Sequence, residues 1–302
     1  MKKLVSLFLA LAMLLCAASA LAEGVSVTDM LGREVALKAP ASRMVVLTAS
    51  DVEIIYALGA GDRVVAVGAY CDYPEEVLAL PRVQSGAETN IEEILALEPD
   101  VVVMDIMAQT TEQTAALEQA GVQVVLTNAD SIEGTYQAIR LLGAVTGMDA
   151  QAEAMIAEMA EAFRQVAEAG IGSGKTVYFE VSPLQWGLWA AGNGSFMQEL
   201  ADLCGLTNIF ADQPAWAQVS EEQVIALNPD YIITTTGYWG EGPLPEEEIA
   251  ARPGWEGVSA VVNGCVFAVD GNVFSRPGPR LVEAAQMLQQ LLTEAEQTAP
   301  AA

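Results

Sequence analysis

One segment of this 302-residue chain occurs twice, 130 positions apart, and it limits the fold more than any other feature. Asn90-Ile-Glu-Glu-Ile-Leu-Ala-Leu-Glu-Pro-Asp-Val-Val-Val returns as Ser220-Glu-Glu-Gln-Val-Ile-Ala-Leu-Asn-Pro-Asp-Tyr-Ile-Ile. Asn90 and Ser220 suit helix N-caps, because their side-chain oxygens can accept from the free N–H groups of a first turn. Glu93 and Gln223, three positions on, are spaced to complete capping boxes. Ile94 and Leu95, like Val224 and Ile225, bury one face, and Pro99 and Pro229 stop the helix. An apolar run follows at once. A chain with the same helix-turn-strand unit in each half is expected to fold as two similar α/β lobes.

The rest of the pattern agrees. After an entry hairpin from Val25 to Val35, apolar runs at Met44–Leu47, Val64–Val67, Val101–Met104 and Gln123–Leu126 alternate with helical patterns. The helices are expected at Val52–Leu58, Ile91–Leu97, Thr111–Gln119 and Ile132–Val145. Such alternation predicts right-handed βαβ units and parallel sheets. It resumes past Gly174, with strands at Thr176–Val181, Tyr231–Thr234 and Val266–Val269 and helices at Phe196–Leu203, Glu221–Leu227 and Arg280–Ala295. Asp149–Glu168 lacks Gly and Pro and reads as one helix about 30 Å long. The plan is a leader over 1–22, an N-terminal α/β lobe over 23–147, an inter-lobe helix over 148–170 and a C-terminal α/β lobe over 171–302. A plain sheet-covering helix is the alternative for the inter-lobe segment.

Charge narrows the function. Forty acidic residues face 13 basic ones, for a net −27, and histidine is absent. Phosphate backbones need Lys/Arg patches, so nucleic acid is excluded as a partner, and anionic membrane surfaces are disfavoured. Without histidine there is no Ser-His-Asp or Cys-His catalysis and no imidazole metal site. At the N-terminus, Lys2 and Lys3, an apolar stretch to about Leu15 and Ala20-Leu21-Ala22 form a cleavable export signal. Cys16 is not expected to carry lipid, because Met13-Leu14-Leu15 lacks the small residue required upstream. The protein is therefore expected in the periplasm or outside the cell. Of the remaining cysteines, Cys71, Cys204 and Cys265, the preferred disulfide is Cys204 with Cys265; three separate thiols are the alternative.

Glu92 and Glu222 hold matching places in the first turn of each repeated helix. They either complement the helix dipole, an effect of about 0.3–1 kcal/mol, or form a symmetric docking pair for a partner with two basic sockets. Other landmarks are Thr28-Asp-Met-Leu-Gly-Arg-Glu-Val, Tyr56-Ala-Leu-Gly-Ala-Gly-Asp-Arg-Val-Val-Ala-Val-Gly, Tyr70-Cys-Asp-Tyr-Pro, Trp216-Ala-Gln-Val-Ser-Glu-Glu-Gln-Val and Arg276-Pro-Gly-Pro-Arg280. Their order and spacing, over nearly the whole mature chain, resemble the class III solute-binding proteins of ABC transporters, which deliver cobalamin or ferric siderophores. The resemblance implies two α/β lobes joined by a single long rigid helix, with the ligand cleft between them and no enzymatic activity. It also implies that Glu92 and Glu222 dock onto the membrane permease.

Ligands of open parallel sheets bind beyond the carboxyl ends of the strands. There the sequence places Ser50, Tyr70, Asp105, Trp186, Trp189, Tyr238, Trp239, Phe274 and Arg276. All five tryptophans, including Trp216 and Trp255, fall in the second half. Aromatic faces suit a large flat or apolar ligand; Trp255 reads as core. The resemblance implies that Tyr70, Trp189 and Trp216 face the ligand. Arg276 reads equally as a partner for a surface carboxylate or for an anionic ligand group, and Arg280 as structural. Where cobalamin binders carry aromatic residues, this chain has Gly86 and Asp105, so a corrinoid, a ferric siderophore and haem all remain open as ligands. No catalytic residue, metal ligand or resident cofactor is assigned. The rival readings are an exported enzyme using carboxylates such as Asp105 and Asp270, and a corrinoid or haem sensor that meets no permease.

Overall fold

The computed structural model describes residues 24–106, 110–238, 240 and 242–298. The leader, Cys16 and Trp239 lie outside the described residues. The chain divides into two compact units. One holds the chain up to Asn128 and Arg140–Gln151; the other holds Ala129–Ile139 and everything from Ala152.

The first unit opens with an antiparallel hairpin of β1 (Val25–Thr28) and β2 (Glu34–Leu37). Five parallel strands follow, β3 (Met44–Val46), β4 (Val64–Gly68), β5 (Arg82–Val83), β6 (Val101–Asp105) and β7 (Gln123–Thr127), in the order β5-β4-β3-β6-β7. Helices α1 (Ala49–Ala57), α2 (Ile91–Ala96) and α3 (Thr111–Gln119) connect them, and α4 (Ile132–Thr146) begins in the second unit and ends in the first. Strands covered on both faces should read as continuous apolar runs. Accordingly, Val45, Val102, Met104 and Val124 pack with Ile94 of α2 and Leu117 of α3.

The second unit contains most of α5 (Asp149–Ala169), whose stripe of Ala152, Ile156, Met159, Phe163 and Val166 is buried. This helix extends one residue past the expected end, and its residues from Ala152 onward group with the second unit. Then come β8 (Thr176–Ser182), β9 (Trp189–Ala191), α6 (Phe196–Leu203), β10 (Thr207–Asn208), β11 (Trp216–Gln218) and α7 (Glu221–Leu227). The chain closes with β12 (Tyr231–Thr234), α8 (Pro245–Ala250), α9 (Ser259–Val262), β13 (Val266–Ala268), α10 (Gly271–Phe274) and α11 (Leu281–Thr298). The strand order is β11-β9-β8-β12-β13, with β10 beside the start of β8. β8, β10, β12 and β13 are parallel, whereas β9 and β11 form an antiparallel ribbon on the edge. The second sheet is therefore mixed where a parallel one was expected.

The two repeats occupy equivalent places: β6 pairs with β3, the first sheet strand of its unit, and β12 pairs with β8. The aspartate after each proline explains why. Asp100 Oδ2 accepts from the Ser42 N–H and hydroxyl at 2.9 and 2.8 Å. Asp230 Oδ2 accepts from the Thr176 N–H and hydroxyl, both at 2.9 Å. Ahead of each proline, Glu98 and Asn228 turn the chain at φ 48° and 47°. The capping box is complete at α7, where Ser220 and Gln223 bond reciprocally. At α2 it is not: Asn90 accepts from the Glu93 N–H, but the Asn90 N–H goes to the Gln84 carbonyl.

Charge is also buried in the second unit. Arg252 reaches both Glu180 oxygens at 2.7 and 2.9 Å, and each side chain is 1% exposed. The same guanidinium lies 4.8 Å from the Trp255 ring centroid, and Trp255 Nε1 donates to Glu221 at 2.9 Å. Trp255 is fully buried, as its core assignment requires. Cys204 and Cys265 are not bridged; all three described cysteines are free thiols. Cys204 caps the end of α6 with its sulfur facing the Ala285 carbonyl, and Cys265 enters β13 with its sulfur on the Asn263 carbonyl. The Cys204 sulfur thus faces α11, whereas the Cys265 sulfur bonds back onto its own loop.

Candidate ligand-binding site

In the first unit, the loop after β4 presents Tyr70, 78% exposed. Two local features fix where it leaves the sheet. Gly68 allows close passage, since a Cβ there would lie 2.1 Å from the Leu47 carbonyl oxygen. Arg82 donates from Nη1 to the Cys71 carbonyl, tying the loop to β5. Arg82 escaped sequence reading because nothing local marks an arginine whose acceptors are backbone groups 11 residues back. At the end of β6, Asp105 is half-buried and its N–H donates to Thr48 Oγ1 at 3.1 Å.

Within the charge range of Asp105 lies Asp51, 1% exposed, in the first turn of α1. That position favours a carboxylate through the helix dipole. Burial outweighs it: desolvation pushes the carboxyl up to about 7, although the Thr127 hydroxyl, donating at 2.8 Å, opposes the shift. Asp105 adds to the rise. Asp51 is thus held near the midpoint of its titration at neutral pH.

In the second unit, β8 runs into a single 3₁₀ turn over Leu184–Trp186, which leaves Trp186 69% exposed. The chain reverses at Gly187, φ 85°, into β9. Register pairs Trp216 with Ala191 and Gln218 with Trp189. Directly opposed residues share a face of a ribbon, so Trp189 and Trp216 are diagonal neighbours on one face, within aromatic reach. Trp189 is 38% exposed; Trp216 is half-buried, edge-on to Phe196 at 5.9 Å. Tyr238, 52% exposed, follows β12. Arg276 is half-buried and donates to Asn272 Oδ1 at 2.9 Å.

Phe274 does not belong with these residues. It is fully buried, because it closes the short helix α10, whose Val273 and Phe274 both turn into the interior. Asp270, one of the carboxylates considered for catalysis, caps α10, with Oδ1 accepting from the Asn272 N–H at 2.8 Å. Sequence reading missed a cavity of about 500 Å³ beyond β12 and β13, lined among others by Thr236, Tyr238, Glu246 and Asp270. Glu246 comes from α8, a six-residue helix too short to show a periodicity.

Glu92 and Glu222 are both exposed, each the second residue of its helix. Hydrogen bonds from its own N–H and from the Ser220 hydroxyl hold the Glu222 carboxyl below its usual range.

Two α/β units of like strand order, with aromatic side chains beyond the carboxyl ends of their strands, have the build of a solute-binding protein. The chain belongs to the periplasmic binding protein family, whose profile matches residues 44–273. It is 31% identical over 271 residues to the uncharacterized ABC transporter substrate-binding lipoprotein YvrC of Bacillus subtilis (strain 168), covering 87% of this chain and 84% of that protein. The periplasmic vitamin B12 binding protein BtuF of Vibrio cholerae superimposes with TM-score 0.71 and 28% identity, covering 85% of this chain and 99% of that one. The periplasmic heme-binding protein RhuT of Roseiflexus sp. RS-1 does so at 0.75 and 26%, covering 84% and 99%. The chain is a member of an ABC-transporter substrate-binding family.

Proposed function

We propose that this chain is the extracytoplasmic component of an ABC importer that captures a corrinoid, ferric siderophore or haem and hands it to a membrane permease. The observation that carries this reading is the set of exposed aromatic side chains: Tyr70, Trp186 and Tyr238 in the segments after β4, β8 and β12, and Trp189 at the start of β9, are exposed at 78%, 69%, 52% and 38%. Rings left in water at such positions offer large contact area at low entropic cost to a flat or apolar ligand. Trp216 and Arg276 are proposed as further ligand contacts in the second unit. Relatives that bind vitamin B12 and haem support the ligand range. Glu92 and Glu222 are proposed as the permease contacts, one per unit. Export follows from the signal at 1–22.

Titration of cobalamin, cobinamide, hydroxamate and catecholate siderophores and haem, followed by tryptophan fluorescence and thermal shift, tests this. A saturable response to one class, with a rise in midpoint by mass action, is expected. Silence across the panel would overturn capture.

A further inference from the structure

The cavity beyond β12 and β13 has an unbalanced hydrogen-bond inventory. Glu246 Oε2 and Thr236 Oγ1, both on its lining, are buried atoms without a hydrogen-bond partner. A buried carboxylate oxygen without a donor is costly and rare in folded proteins. Asp270 adds a second carboxylate to the same wall. Among the described residues that line it, none is basic and none supplies a side-chain N–H except Asn272, whose Oδ1 is taken by Arg276. Among the described residues the wall therefore carries two carboxylates and no basic side chain, its side-chain donors being the neutral hydroxyls of Thr235, Thr236 and Tyr238 and the Asn272 amide. An incoming carboxylate would meet repulsion there, whereas an N–H group would complete the bonds the protein leaves unmade. At about 500 Å³ the cavity admits one side of a large ligand rather than a lone ion.

We propose that this cavity is a subsite for the donor-bearing rim of the ligand, a carboxamide or ammonium group, and that it selects against ligands whose rim is carboxylate. The inference rests on the capture reading above and narrows it: corrins with amide side chains and hydroxamates with a free ammonium fit, whereas haem, with two propionates, and anionic catecholate complexes do not. Glu246 is the specificity-determining residue, with Thr236 beside it.

Matched ligand pairs test this on the mature chain. Dicyanocobinamide is set against cobyrinic acid, the same macrocycle with carboxylates in place of amides. A ferric hydroxamate with a terminal ammonium is set against its N-succinylated form. Affinities are measured by titration calorimetry for the wild type and for Glu246→Gln. In whichever pair binds, the N–H member should bind at least about tenfold more tightly, the worth of one charge-assisted hydrogen bond. Glu246→Gln should shrink that preference while binding of the common core persists. Equal or reversed preference, or a preference unchanged in Glu246→Gln, would overturn the subsite and leave capture standing. Binding of haem or a catecholate complex in place of both pairs would also overturn it. Failure to bind any of these ligands would overturn capture itself.

Discussion

Replacing Asp51 by asparagine should stabilise the protein, and more so as the pH rises. In the folded chain, burial pushes the Asp51 carboxyl from 3.8 up to about 7. The unfolded chain releases this proton near pH 4, whereas the folded chain keeps it to about pH 7, so stability present at acid pH is lost across that window. The full gap corresponds to about 4 kcal/mol, of which about 2.5 kcal/mol falls between pH 5 and pH 8. Asparagine has nearly the same shape and does not ionise. Its oxygen keeps the Thr127 hydroxyl as donor, and its amide can meet the Thr48 hydroxyl that bonds Asp51. Urea unfolding of both proteins at pH 5 and pH 8 cancels the contributions of the other acidic groups in the difference. The gain of Asp51→Asn over wild type should be larger at pH 8 by about 2.5 kcal/mol. A gain that does not change with pH, or a loss at both values, would refute the claim that burial outweighs the helix-dipole and hydroxyl contributions at this site.

Arg252→Met leaves the Glu180 carboxylate buried without its partner and should cost about 3–5 kcal/mol at pH 8, read as a lower urea midpoint; a change under 1 kcal/mol would show that the pair is not buried as described. Glu92→Lys with Glu222→Lys should leave ligand affinity unchanged in titration while uptake by cells falls at least about tenfold; normal uptake would remove the docking role. Excess dithiothreitol should not move the thermal midpoint, since no described cysteine is bridged. In iodoacetamide labelling, half-buried Cys265 should react ahead of Cys204, whose thiol burial pushes up to about 12; the reverse order in a peptide map would contradict both placements.

Legibility of the sequence follows the length over which a signal repeats. The bounds of α3, α6, α7 and β12 were readable because caps, apolar spacing and proline stops act within a few residues. β5 and β10, two residues each, and the three-residue β9 and β11 are too short for a period of two to register. Their pairing is decided by partners elsewhere in the sheet. Trp189 and Trp216 could be named individually, but not their shared face, which only the register of the ribbon brings about. Phe274 misled for a related reason: a residue just past a strand looks exposed until a short turn such as α10 rotates it inward. The Glu180–Arg252 pair spans 72 positions, and no local pattern distinguishes Arg252 from a solvated charge. Asp100 and Asp230 were visible as part of the repeat, yet their bonding to the neighbouring strand is a tertiary fact.

Those two aspartates bear on the proposed ligand surface from the opposite end of each sheet. Each grips the residue at or just ahead of the first strand by its amide and its hydroxyl together, so that strand cannot slide along its neighbour without breaking two bonds at once. A slip of one residue would move a strand by about 3.3 Å and exchange its two faces. β8 is seven residues long, with Thr176 gripped at its start and the turn bearing Trp186 just past its end. The aim of aromatic side chains at the proposed binding end is thus indexed from a carboxylate about 20 Å away. Substitution of Asp230 would be felt as misalignment at Trp186 and Trp189, which Asp230 never touches.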